Sequence, residues 1–224
     1  LNYLANFKFT GDIWAVPEGT PIFPREPIIT VRAPAIQAQL VETYLLLCVN
    51  HQSLIATKAN RVVRAAEGRT VLEFGSRRAQ GTDAAISGAR AAYIGGCVAT
   101  ACTLTDERYG VPAAGTMAHS WVQMFESEYD AFKAYTETYP NNAILLVDTY
   151  NTLRSGIPNA IRVFQEYLAS GRTMANFGIR MDSGDLAYLT KKARRMLDEA
   201  GLQGAKIVVS NALDEYLIND LLQQ

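Results

Sequence analysis

Five times in this sequence a short apolar run ends abruptly in polar residues and gives way to helical periodicity. Val71 to Gly75 leads into Ser76, Arg77 and Arg78, and Val111 to Gly115 leads into Thr116 and His119. Ala143 to Val147 ends on Asp148, Phe177 to Met181 carries Arg180 and ends on Asp182, and Lys206 to Val209 ends on Ser210 and Asn211. Strands alternating with helices build a parallel sheet. In doubly wound sheets and in (β/α) barrels alike, the site lies at the carboxyl ends of the strands. The pattern therefore predicts an α/β chain whose five strand ends bring three arginines, a histidine and two aspartates onto one face.

The stretches between these runs read as helices: Thr82 to Gly95, rich in small residues suited to close packing on the sheet, then Ser120 to Tyr139, Leu153 to Ala169, Asp185 to Ala200 and Leu213 to Leu222. In the second, Trp121, Met124 and Phe125 are expected inward and Glu126, Glu128 and Asp130 outward. Gly171 and Gly201 stand where helices are expected to end. The amino-terminal part differs. Five of the eight prolines fall at positions 17, 21, 24, 27 and 34, between short β-prone runs (Phe7 to Phe9, Ile13 to Val16, Ile28 to Val31), which predicts an antiparallel β layer. Ile36 to Ala66 then turns helical, read as two helices meeting near Asn50, with Pro34 at the start. The expected organisation is a β segment over 1–34, a helical connector over 35–69 and the βα region over 70–224.

Composition narrows the function classes. Hydrophobic residues make up 49% of 224, enough for a substantial core. Lys and Arg number 21 against 22 Asp and Glu, so no general nucleic-acid or membrane surface is expected and any basic cluster is local. Apolar stretches such as Tyr44 to Val49 are far shorter than the roughly 20 residues that span a bilayer. Cys48, Cys97 and Cys102 lack the spacing of a zinc site or a disulfide framework and read as reduced core cysteines, which with the absence of a signal sequence points to the cytoplasm. The chain begins at Leu1 and reads as a fragment of something longer.

At the strand ends each candidate has two readings. Arg77 and Arg78, just before Gly81, Thr82 and Asp83 at a helix start, form either an anion or phosphate site or structural pairs with Glu73 or Asp83. His119 lies at a strand-to-helix junction, suited to chemistry or to capping. His51, within the helical connector, reads as structural. Asp148 and Asp182 can cap the helices that follow, or hold ribose hydroxyls, water around Mg2+ or positive charge at a sugar carbon. Arg180 is two residues from Asp182, so on a strand both point the same way, and Arg180 needs an anion there, either Asp182 or a bound carboxylate. Ser210 and Asn211 read as an N-cap for the last helix, and Gly95 and Gly96 as a packing feature.

In order along the chain, VLEFGSRRAQGTD (71–83), GTMAHSW (115–121), LVDTY (146–150), GIRMDSGDL (178–186) and VSN (209–211) closely resemble the nicotinate phosphoribosyltransferase family, as do Phe9 to Pro27 and Gln39 to Ala59. The resemblance implies an irregular (β/α) barrel, incomplete here, with part of an adjoining α/β sandwich, working as a homodimer with shared active sites. It implies transfer of phosphoribosyl from phosphoribosyl pyrophosphate to nicotinate, giving nicotinate mononucleotide and pyrophosphate for NAD synthesis, coupled to ATP hydrolysis with Mg2+. On the same resemblance His119 is the phosphorylated histidine. Thr116 and Arg180 contact nicotinate, Phe74 is the position whose ring stacks on the pyridine in related nicotinamide enzymes, and Arg77, beside Arg78, lies near the nucleotide phosphate. Asp148 and Asp182, the latter opening the Ser183–Gly184 turn, lie near ribose, pyrophosphate and Mg2+.

Neutral Thr100, aligned near where the nicotinamide enzymes carry an aspartate, favours the acid over the amide. Family members are longer: an amino-terminal aromatic segment and a later glycine-rich phosphate loop have no counterpart here, and five strands stand where a barrel needs about eight. The rival expectations are a nicotinamide phosphoribosyltransferase, a truncated inactive chain that only binds or dimerises, and a barrel hydrolase using Asp148 and Asp182, which leaves the arginines unexplained.

Overall fold

The computed structural model describes residues 2–224. The chain divides into two compact units, Leu1–Ala114 and Gly115–Gln224.

The first unit opens with a one-turn helix α1 (Asn2–Ala5) and an antiparallel hairpin of β1 (Asp12–Ala15) and β2 (Ile29–Arg32), with Ile13 opposite Val31. Then comes α2 (Ala35–Ala65), a single 31-residue helix where two were expected. Asn50 lowers helix propensity by well under 1 kcal/mol, too little to break a helix held by packing. After it come β3 (Leu72–Glu73), a 3-10 turn Ser76–Arg78, α3 (Thr82–Ile94), β4 (Ala99–Thr100) and α4 (Thr103–Tyr109). β3 and β4 are parallel, with Leu72 beside Ala99 and Glu73 beside Thr100. The small residues of α3 pack chiefly on α2 rather than on a sheet: a Cβ on Gly95 would lie 2.6 Å from the Ala56 carbonyl and 2.9 Å from Ala59 Cβ. His51 Nε2 meets the Ala84 carbonyl at 3.2 Å across the same contact, a structural role. Val111 to Gly115 forms no strand, only an isolated bridge from Ala113 to Thr100.

The second unit holds α5 (His119–Val122), α6 (Glu128–Thr138), β5 (Ala143–Leu146), α7 (Ile157–Ala169), β6 (Phe177–Met181), α8 (Leu186–Glu199), β7 (Lys206–Val209) and α9 (Glu215–Gln223). β5, β6 and β7 form one parallel sheet in that order, with Leu145 beside Ile179 and Arg180 beside Val208. All four residues of β5 are buried, as a strand covered on both faces requires. The core joins Leu145, Leu146, Val147, Ile157, Phe164, Ile179, Met181 and Leu197. The helix expected over Ser120 to Tyr139 is broken, because Ser127 Oγ accepts from Asp130 N and starts α6 afresh. Met124 is consequently exposed and Glu128 buried, the reverse of the amphipathic reading.

The expected α/β fold with parallel strands is present, and among the described residues its strands form open sheets of two and three strands rather than a closed barrel. Within the second unit the sheet places the ends of β5, β6 and β7 side by side.

Candidate active site

Beyond β5 the backbone continues through buried Val147 to Asp148 and Thr149, and a π-helical turn at Thr152–Gly156 leads into α7. The exit is tight: a Cβ on Gly156 would lie 1.8 Å from the Val147 carbonyl oxygen, so only glycine fits. Asn151, not Asp148, accepts from Arg154 N to cap this turn.

Asp148 is instead turned into the site and nearly sealed, its side chain 2% exposed. Its Oδ2 accepts from Asp182 N at 2.8 Å and from Ser183 Oγ at 2.6 Å. The loop after β6 is thus wrapped around this carboxylate, and Gly184, at φ +83, supplies the left-handed turn it needs. Oδ1 of Asp148 is buried without a hydrogen-bond partner. α8 is capped by Asp185, which accepts from Tyr188 N at 3.0 Å, so neither site aspartate is a helix cap.

Arg180 finds its anion in Asp182, with Nη2 3.0 Å from Oδ1. The rest of the guanidinium is also engaged: Nε donates to Ser210 Oγ at 2.9 Å, and Nη1 to Thr116 Oγ1 at 2.5 Å and the Met117 carbonyl at 3.3 Å. Ser210 in turn donates to Asp182 Oδ1 at 2.5 Å. Ser210 is therefore a member of the cluster rather than an N-cap, and α9 is capped by Asp214. Burial is the largest single influence on the Asp182 carboxyl and pushes its pKa up. The Ser210 hydroxyl, the Arg180 guanidinium and the nearby His119 together outweigh it, and the group is held below the usual aspartate value.

His119, at the first position of α5, turns its ring toward these carboxylates. Nε2 lies 3.9 Å from both Asp148 Oδ1 and Asp182 Oδ2, and Nδ1 is 3.1 Å from Thr149 Oγ1. The ring is 40% exposed, so its outer edge is open to a ligand. The second unit thus brings together Thr116, His119, Asp148, Arg180, Asp182 and Ser183. Behind them burial pushes the Glu128 carboxyl up, a bond from Asn159 opposes this, and Asp148 adds to the rise.

In the first unit Phe74, Arg77 and Arg78 follow β3. Glu73 does not pair with either arginine: it accepts from Gly75 N and, at 2.6 Å, from Thr100 Oγ1. The Arg77 and Arg78 side chains are exposed and make no ion pair or hydrogen bond among the described residues. Thr100 is fully buried and also accepts from Cys102 N at 3.0 Å, so it presents no face to a substrate. Pattern reading undervalues Ser210 and passes over Thr149 and Glu128. The only local signal for Thr149 is its place directly after a strand-end aspartate.

The cluster can therefore hold positive charge between two carboxylates and present an imidazole edge to an incoming group. Comparison with known proteins identifies the family. Residues 1–50 match the profile described as the nicotinate phosphoribosyltransferase (NAPRTase) N-terminal domain, and residues 70–224 that of the nicotinate phosphoribosyltransferase (NAPRTase) family. Nicotinate phosphoribosyltransferase of Bacillus subtilis is 51% identical over an alignment covering 100% of this chain and 50% of the relative. That of Dictyostelium discoideum is 37% identical over 100% and 46%. The crystal structure of human nicotinic acid phosphoribosyltransferase superposes with a TM-score of 0.91 at 30% identity, covering 100% of this chain and 55% of that one. The chain spans about half the length of the curated relatives it matches. It belongs to the nicotinate phosphoribosyltransferase family.

Proposed function

We propose that this chain supplies the phosphoribosyl-transfer centre of an enzyme that joins nicotinate to phosphoribosyl pyrophosphate, releasing pyrophosphate and forming nicotinate mononucleotide for NAD synthesis. The observation that carries this is the set of two carboxylates, one imidazole and one guanidinium held together at the ends of β5 and β6. As pyrophosphate leaves, the ribose C1 takes on positive charge, and the side chains of Asp148 and Asp182 are placed to stabilise it without reorganising. Arg180 and the Thr116 hydroxyl, already joined at 2.5 Å, are the groups to which the nicotinate carboxylate would be drawn. There it would share Arg180 with Asp182, and an uncharged amide would compete poorly. In the first unit, taken by itself, the family resemblance makes Phe74 a pyridine-stacking position and the exposed Arg77 and Arg78 positions for phosphate oxygens.

His119 would couple the reaction to ATP by accepting a phosphoryl group on its exposed ring. The donor set also fits Mg2+: the unpartnered Asp148 Oδ1 and the neighbouring Asp182 Oδ2 are hard oxygens, though no cluster of three or more His, Cys, Asp or Glu side chains forms a cage among the described residues. When bound with pyrophosphate, Mg2+ would neutralise the leaving group's charge.

On the same reading β5, β6 and β7 belong to an irregular (β/α) barrel, residues 1–34 to an adjoining sandwich layer and residues 35–69 to the connector. The working form is a cytoplasmic homodimer with shared sites. The test is to assay the product of the complete reading frame with phosphoribosyl pyrophosphate and either nicotinate or nicotinamide, with and without ATP. Nicotinate mononucleotide formation stimulated by ATP is expected. Equal use of the two pyridines would refute the assignment of Arg180.

A further inference from the structure

Glu128 is a buried carboxyl that the proposed chemistry leaves without a task, and it grips the segment that leads away from Asp148. It stands at the first position of α6 and is 5% exposed. Its Oε2 accepts from Asn159 Nδ2, in the first turn of α7, at 3.1 Å, and the Ser155 hydroxyl approaches the same carboxyl. Ser155 and Asn159 flank Gly156. There the π-helical turn lies against the strand end, its backbone so near the Val147 carbonyl that a Cβ on Gly156 would lie 1.8 Å from the oxygen. Asp148 is the next residue after Val147. The other end of the turn is held by Asn151, which accepts from Arg154 N at 2.9 Å. The chain between Asp148 and α7 is therefore tied down at both ends, and at the α7 end the tie comes from α6.

We propose that Glu128 is a positioning residue for Asp148: through Asn159 it holds Gly156 against the Val147 carbonyl, and so fixes the strand end from which Asp148 enters the site. Asp148 in turn accepts from Asp182 N at 2.8 Å and from Ser183 Oγ at 2.6 Å, so a strand end that drifts also loosens the loop after β6. The demand on placement is strict, since misplacing a reacting group by about 1 Å can cost about 100-fold in rate. The inference rests on the proposed role of Asp148 in phosphoribosyl transfer.

The test uses the product of the complete reading frame and takes two readings. In the first, Glu128→Ala should lower kcat for nicotinate mononucleotide formation about 10- to 100-fold and leave KM for both substrates within about 3-fold, because the binding groups stay in place while the reacting carboxylate shifts. Glu128→Gln removes the charge but keeps an acceptor for Asn159, and should recover most of the rate. Asn159→Ala should reproduce the loss seen in Glu128→Ala, and the double variant should be no slower than either single one, because both act through one bond. The second reading is hydrogen exchange followed by mass spectrometry. In Glu128→Ala, exchange should rise at 182–184, where the Asp182 amide is bonded to Asp148, and stay unchanged across β7. If Glu128→Ala fails to fold, Asn159→Ala carries the same readings.

A Glu128→Gln protein as slow as Glu128→Ala would make the effect one of charge and overturn the proposal. So would an unchanged kcat in folded Glu128→Ala, or unaltered exchange at 182–184. Absence of nicotinate transfer in the unmodified protein would instead overturn the proposed function, and the exchange measurement would still decide whether Glu128 holds Asp148.

Discussion

Replacing Arg180 by methionine removes the cation from the most densely bonded part of the second unit while keeping much of the side-chain stem. Arg180 is 12% exposed and Asp182 22%, and their contact is 3.0 Å. At that separation two unit charges interact by about 5 kcal/mol at an effective dielectric of about 20, before desolvation is counted. Breaking a buried pair by removing one partner costs roughly 3–5 kcal/mol, because the other charge is left behind. Ser210 still donates to the stranded carboxylate and both partners keep a fringe of solvent, so we expect about 2–4 kcal/mol. With a urea slope of roughly 2 kcal/mol per molar, the midpoint should fall by about 1–2 M.

Trp121 reports on the second unit once Trp14, the other tryptophan, is replaced by phenylalanine. The sign of the pH dependence follows from Asp182, whose pKa is depressed in the folded state. Its contribution is fully present above the unfolded aspartate value of about 3.9 and is lost as pH falls through the lower folded value. The acid slope should therefore shrink in Arg180→Met and again in Asp182→Asn. A double-mutant cycle between the two should give a coupling of about 1–3 kcal/mol. A coupling below about 0.5 kcal/mol, with an unchanged acid slope, would refute the view that Asp182 is the structural anion of Arg180.

Glu128→Gln should stabilise the second unit increasingly as pH rises: the folded carboxyl has a raised pKa, so the native state binds the extra proton and stability is lost between the unfolded and folded values, a loss the neutral amide removes; a denaturation series from pH 4 to 8 measures it. Gly156→Ala should cost about 1–3 kcal/mol or more in thermal or urea unfolding, since the new methyl meets the Val147 carbonyl at 1.8 Å. Burial pushes the Cys97 thiol up to about 11, so mass spectrometry after iodoacetamide treatment at pH 8 should find Cys97 unmodified until denaturant is added. His119→Ala should abolish acid-labile phosphorylation from ATP while leaving weak ATP-independent nucleotide formation.

The strands of the second unit are legible because a parallel strand covered on both faces must be a largely apolar run: 143–147 is wholly apolar, and 177–181 and 206–209 are broken only by Arg180 and Lys206. Val111 to Gly115 is apolar but small and holds Pro112, which has no N–H to give a ladder, and it gains only one bridge. The start of α6 does carry a local signal, Ser127 three residues before Asp130, which apolar periodicity alone runs across. Asp148, Arg180, Asp182 and His119 are visible as polar residues where strands end. Their partners are less so. The bonds from Arg180 to Ser210 and Thr116 span 30 and 64 residues, and the contact of Thr149 with the His119 ring spans 30. No local pattern encodes those separations, so a cap for α9 is the natural reading of Ser210 until the sheet brings it beside Arg180.

The most direct test of the site is kcat/KM for nicotinate in the product of the complete reading frame carrying Asp148→Asn. This change keeps the side-chain shape and one acceptor for the Asp182 amide while removing the charge at the buried, unpartnered Oδ1. If Asp148 stabilises the developing charge at ribose C1, the value should fall at least about 100-fold with a cooperative melt retained. A loss within about 2-fold in a properly folded variant would contradict the placement of phosphoribosyl transfer at the ends of β5 and β6.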